Sequence, residues 1–195
     1  NHFIINIQPD QKAPLADRLI ARGVADVSLQ PMIRGRLIQV AGRVIEPDTY
    51  QEERAQRLVE REFNLSTMSS MPEHNSIIEG QWFNASTTHG EASIEQGLAK
   101  TLGFKLGDTL QFDVTGQSVD VKITSIRKLD WNSMRVNFFV IVSPDVVHNL
   151  PTTWVSAVYL PSSKMPRILH IYGYGLNIIR CWTSSNILDI SSADL

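Results

Sequence analysis

The sequence contains one cysteine, Cys181, in 195 residues. A single thiol cannot close an intramolecular disulfide, and it is too few for a zinc site built on cysteines. Long hydrophobic runs are missing as well. The longest, Phe138 to Val142 and Val155 to Leu160 with Ser156 inside, fall far short of the ~18 residues that a membrane helix requires. Nor does one sign of charge dominate: 18 Lys+Arg stand against 20 Asp+Glu, a net charge of -2. That balance lacks the cationic surplus that neutralises phosphates, so no nucleic-acid partner is expected. Asn1 stands where an initiator Met would, and the first residues read as a strand rather than a charged segment followed by an apolar one. The chain therefore reads as a piece of something longer. What is present is ordinary for a globular protein, with 43% hydrophobic and 19% charged residues, enough to bury a core.

Strand and helix signals alternate along the chain. Phe3 to Ile7 is a β-branched apolar run, and Pro9-Asp10 follows as a turn whose aspartate can cap a helix. Leu15, Leu19 and Ile20 recur at helical spacing before Gly23, a left-handed stop, and Val27 to Leu29 starts another strand. Ala41-Gly42 divides Leu37 to Val40 from Arg43 to Ile45 as a two-residue hairpin turn. Asp48 and Gln51 have capping-box spacing and predict a short helix over 49–55; Val59, Phe63 and Leu65 then alternate with polar residues as a strand would. Ser93 and Gln96 predict a second box, opening a helix through Ile94, Leu98 and Leu102 that stops at Gly103. After the loop 105–108 come strands over 109–114, 118–126, 137–142 and 154–160. The expectation is an α+β chain with two lobes: one mixed α/β lobe from residues 1–65 with 135–195, and a strand-rich one from 66–134.

Catalytic signatures are sparse. His2, His74, His89, His148 and His170 show no HExxH or HxH spacing, so no metal site is expected. No serine lies in a GxSxG elbow, and Gly103 to Asp108 lacks both the Walker ending and the GxGxxG series. The one suggestive pair is His89 with Glu91, a histidine beside a carboxylate that could shuttle a proton in a small hydrolase. A different kind of signal runs from Arg127 to Phe139. It sets Trp131, Met134, Phe138 and Phe139 among Asp130, Asn132, Ser133, Arg135 and Asn137, with neither helical period nor tight-turn chemistry. Such a segment is either folded against its own domain or presented to a partner, and Trp82-Phe83 poses the same choice.

Four blocks carry a family likeness: PMIRGRL at 31–37, GQWF at 80–83, GEASIEQGLAKTLGFKLGDTLQF at 90–112 and ITSIRKLDWNSMRVNFFVIVSP at 123–144. In order and spacing they resemble the extracytoplasmic domain of FtsX-like, MacB-type ABC transporter permeases, within the YbbP-like branch of large permeases with two such domains. The likeness covers Phe3 to Leu160. The tail 161–195 departs from the family pattern of a charged helix and a short strand; Ile168 to Tyr172 and Leu176 to Ile179 could instead form a strand pair.

The resemblance implies a non-enzymatic periplasmic domain, tethered to the inner membrane by the rest of its protein. It implies no catalytic residue, metal or cofactor in this piece, with ATP bound by a separate cytoplasmic ATPase subunit. The domain would pass ATP-driven motion to a periplasmic protein or to hydrophobic or amphiphilic cargo. Candidate contact or structural residues are then Trp82, Phe83, Asp130, Trp131, Ser133, Met134, Arg135, Asn137 and Phe138. A soluble module binding hydrophobic ligands in an aromatic groove is the alternative.

Overall fold

A computed structural model of the chain describes residues 2–84, 86–130 and 135–158. It is mixed α+β, and its contacts divide it into two units. The first unit takes residues 2–31, 135–136 and 152–158; the second takes 32–84, 86–130 and 137–151. The division falls at 31/32, and residues 36–40 beyond it pair with 110–113 from the middle of the chain.

In the first unit β1 (His2–Ile7) runs antiparallel to β10 (Thr153–Val158), with a bulge between Ile4 and Ile7 where Asn6 turns to a φ of 59°. Helix α1 (Lys12–Ile20) buries Leu15 and Leu19, which join Ile4, Ile7, Val24 and Val158 in one small core. Asp10 does not cap this helix. It sits inside a 3-10 turn, Pro9–Gln11, whose box is made by Gln8 and Gln11. Gly23 lies in the left-handed region at φ 83°, and its N–H bonds the Ile20 carbonyl, as its position after the last turn required. Lys12 Nζ lies 4.1 Å from the Trp154 ring centroid, a cation–π contact across this unit.

The second unit is a closed ring of strands. Strand β2 (Leu29–Val40) is antiparallel to β4 (Phe63–Thr67), β4 is parallel to β9 (Val140–Val142), and β9 is antiparallel to β6 (Glu91–Glu95). Strand β6 is parallel to β8 (Gln117–Leu129), β8 is antiparallel to β7 (Thr109–Val114), and β7 returns to β2. Two strands hang outside the ring: β3 (Arg43–Val44) on β2, and β5 (Asn75–Gly80) on the far end of β8. Closure removes the free edges of the six ring strands. Inside lie Ile33, Leu37, Leu65, Ile94, Leu110, Phe112, Val121, Ile123 and Val140, all nearly inaccessible.

Helix α2 (Glu53–Glu60) starts and ends later than the short helix expected over 49–55, and Val59 belongs to it rather than to a strand. Ala55 and Val59, four apart, form its buried stripe. Its approach is a 3-10 turn, Pro47–Thr49, in which Glu46 and Thr49, not Asp48 and Gln51, bond each other's backbones. Ser93 and Ile94 are likewise strand, and helix α3 (Gln96–Leu102) is capped by Glu95, whose carboxylate accepts from the N–H groups of Gly97 and Leu98. The helix ends at Gly103, φ 71°.

The β2–β3 hairpin turns on Ala41 (φ 49°) and Gly42 (φ 77°), both in the left-handed region as a type I′ turn demands. Alanine tolerates that conformation poorly and asparagine well. Ala41→Asn is therefore expected to stabilise the chain by about 0.5–1 kcal/mol, read as a higher denaturant midpoint with an unchanged slope.

Candidate functional site

Strand β8 alternates its side chains, and Val119, Val121 and Ile123 point into the ring. Past Ile123 the β6–β8 register shifts by one residue, so Ile126 joins Ile94 in the apolar core, and Ser125 and Arg127, paired with Ser93 and Glu95, are buried on the opposite face of the strands. That opposite face is polar. Ser125 Oγ and Ser93 Oγ bond at 2.8 Å with both residues 0% exposed, and next to them on the strand lies Arg127, also 0% exposed.

Arg127 joins three elements. Its Nη1 donates to Asn75 Oδ1 on β5 at 2.6 Å, and its Nη2 donates to the carbonyl oxygen of Phe138. Among the described residues, its Nε and the Nδ2 of Asn75 are buried without hydrogen-bond partners. Burial pulls the guanidinium down to about 10, and the nearby Glu95 carboxylate works against that drop. The group stays charged at neutral pH. Glu95 is itself buried, with its carboxylate committed to the start of α3 and its N–H donating to the Phe139 carbonyl at 2.8 Å.

Of the residues singled out in the sequence, Phe138 is core, 4% exposed, while its neighbour Phe139 is 46% exposed. Asp130 is exposed, with its N–H bonded to the His74 carbonyl; Arg135 is exposed and Asn137 half-buried. Trp131, Ser133 and Met134 lie outside the described residues, as do Asn132 and the two strands expected in the tail. Trp82 and Phe83 follow β5 directly. Their rings lie 4.4 Å apart at 30°, Phe83 is buried, and half-buried Trp82 has no partner for its Nε1 among the described residues. On the same strand Ile78 is 42% exposed, and Leu106, 40% exposed, lies against Gly80. No sequence signal marked Arg127, because the register shift past Ile123 buries three consecutive residues, Ser125, Ile126 and Arg127, where a plain alternation would bury every second one.

The His89–Glu91 pair does not form a unit. His89 lines an open cleft of about 430 Å³ with Thr88, Asp120, Asp145 and His148. Glu91 lies on β6 outside the cleft, its N–H bonded to Ser143 Oγ. The cleft is polar, unlike the aromatic groove that a hydrophobic-ligand module would need. Among the described residues no three His, Cys, Asp or Glu side chains gather to hold a metal, and no helix is long and apolar enough to cross a membrane.

No family model matches the chain. Over 157 residues, 80% of its length, it is 36% identical to an uncharacterised ABC transporter permease, YbbP, of Escherichia coli strain K12. It spans 18% of that protein. Among solved structures, a domain of a protein named as a permease from Porphyromonas gingivalis aligns over 88% of this chain and 81% of its own, at 12% identity and a TM-score of 0.36. A score that low carries no argument about fold or function.

Proposed function

The chain is a relative of the ABC transporter permeases, matched to a domain-sized part of one of them, and from this premise we propose that it is the periplasmic domain of an FtsX-like permease. In this reading it performs no chemistry. It takes up motion produced by a cytoplasmic ATPase subunit, delivered through the membrane-spanning part of the same permease, and uses it to move hydrophobic or amphiphilic cargo or a periplasmic partner. The observation that carries the reading is the 36% identity over 157 residues. The closed ring supports it, because strands bonded on both edges move as a body rather than shearing.

Topology gives the test. Val44 is 64% exposed on the outer strand β3, so Val44→Cys in a parent permease whose own cysteines, Cys181 included, are replaced by serine offers one accessible thiol. A membrane-impermeant maleimide is expected to label it in intact spheroplasts. Labelling only after lysis would put the domain on the cytoplasmic side and end this reading.

We assign partner or cargo contact to Trp82 and Phe139, together with Trp131 and Met134. Phe139→Asp is expected to leave the melting temperature of the chain within a degree or two, since the ring is already half in water. In the permease–ATPase complex reconstituted in liposomes, the same substitution is expected to lower ATP turnover at least fivefold. Full turnover in the variant complex would remove Phe139 from the contact surface.

A further inference from the structure

We propose that Arg127 and Asn75 line an internal site for small hydrogen-bond acceptors, water molecules or a halide ion. Both residues are buried, Arg127 at 0% and Asn75 at 7% exposure. They stand on adjacent strands. Ile77 of β5 is opposite Arg127 of β8 and Asn75 is opposite Leu129, which sets Asn75 diagonally across from the guanidinium on one face. The bonds made there fix the orientation of both groups. Arg127 Nη1 donates to Asn75 Oδ1 at 2.6 Å, and Nη2 donates to the Phe138 carbonyl. Because a guanidinium can only donate, the amide must turn its oxygen to Nη1, and its nitrogen cannot take that place.

What remains is an excess of donors. Among the described residues, Arg127 Nε and Asn75 Nδ2 are buried and meet no acceptor. The Glu95 carboxylate, which acts on the guanidinium through its charge, is spent on the N–H groups of Gly97 and Leu98. A buried N–H with no acceptor is costly, and one on a charged group more so. Two such donors, on residues bonded to each other, require a species that brings lone pairs. A metal cation brings none. Ser93 and Ser125, bonded to each other next along the same face, are 0% exposed like Arg127, so the species is water-sized or monatomic. Water brings lone pairs together with two hydrogens that need acceptors of their own, and buried waters make about three hydrogen bonds. A halide brings lone pairs and no hydrogens, and the guanidinium offsets its charge.

The site belongs to the chain itself and does not rest on the transport reading. Crystals of the 195-residue chain, grown in chloride and transferred to bromide, test it. Ordered density is expected within about 3.5 Å of Arg127 Nε and of Asn75 Nδ2. An anomalous bromide peak at that density identifies a halide; density of an oxygen with no bromide signal identifies water. Asn75→Asp keeps the oxygen that Nη1 uses and replaces the second donor by an acceptor, so the occupancy beside residue 75 is expected to fall at least twofold. A protein atom accepting from either donor in place of that density would overturn the site, and so would undiminished occupancy beside residue 75 in Asn75→Asp. If that variant does not fold, the density in the parent chain decides alone.

Discussion

Phe112→Ala is expected to cost about 4 kcal/mol of folding free energy, at the upper part of the range for a buried phenylalanine. The residue is 1% exposed on β7, with Leu37 of β2 and Val119 of β8 as its strand partners. Its ring meets the edge of Phe63 at a centroid distance of 6.1 Å and 71°. How much a large-to-small change costs depends on whether neighbours can fall into the space. Here the walls are ring strands hydrogen-bonded on both sides, and Gly35 opposite has no side chain to advance. The cavity should stay open. Denaturant unfolding measures the loss directly, with an unchanged slope as the sign that the denatured state is the same. A double-mutant cycle with Phe63→Leu should return a coupling of about 0.5–1.5 kcal/mol from the edge-on ring pair. A loss under 2 kcal/mol would mean that the ring relaxes.

Gly80→Ala should be nearly as damaging, by a different route. The residue has φ +74°, and a Cβ there would stand 2.1 Å from the Thr124 carbonyl oxygen. That oxygen is backbone of β8 and already accepts the Gln81 N–H at 3.0 Å, so it cannot swing away as a flexible side chain would. Two penalties add: a left-handed conformation, about 1 kcal/mol for a non-glycine residue, and displacement of the strand ladder, about 2 kcal/mol more. Gly116→Ala separates them. That glycine has φ +85° with nothing within 4 Å of a new Cβ, so it should show the conformational cost alone. Thermal melts are expected to place Gly80→Ala about 10 °C below the parent chain and Gly116→Ala about a third as far. Equal melting temperatures for the two would show that β8 yields.

Where local chemistry decided the structure, the sequence was readable. Ala41-Gly42 could hardly be anything but a hairpin turn, Gly103 stops its helix, and β7 and β8 show their alternation openly. The errors share one physical origin, tertiary burial overriding a local pattern. EASIE at 91–95 sits between β8 and β9 and is covered on both faces, so it shows no period of two. Ser93 and Gln96 then looked like a cap, although Ser93 is spent on Ser125. Val59, Phe63 and Leu65 alternate across a helix–strand junction, a coincidence of spacing that only the packing resolves. Of the candidate site, the apolar residues Trp82, Phe83 and Phe138 were visible because loops seldom carry such rings. Their division into buried Phe83 and Phe138 and half-buried Trp82 was not, since adjacent aromatics carry no label of which one faces inward.

The six-stranded ring is closed by its shortest member, and that member is also the last of the six in the chain. A ribosome releases β2, β4, β6, β7 and β8 before Val140–Val142 emerges, and until then β4 and β6 each lack a neighbour on one side. Bare edges of that kind recruit strands from other nascent chains. At ~5–20 residues per second the exposure lasts on the order of seconds during synthesis. A chain threaded unfolded through a translocation pore, and released only after residue 142 has passed, would not experience it. The placement of three valine and isoleucine residues at the end of the ring thus ties successful folding to the manner in which the polypeptide is delivered.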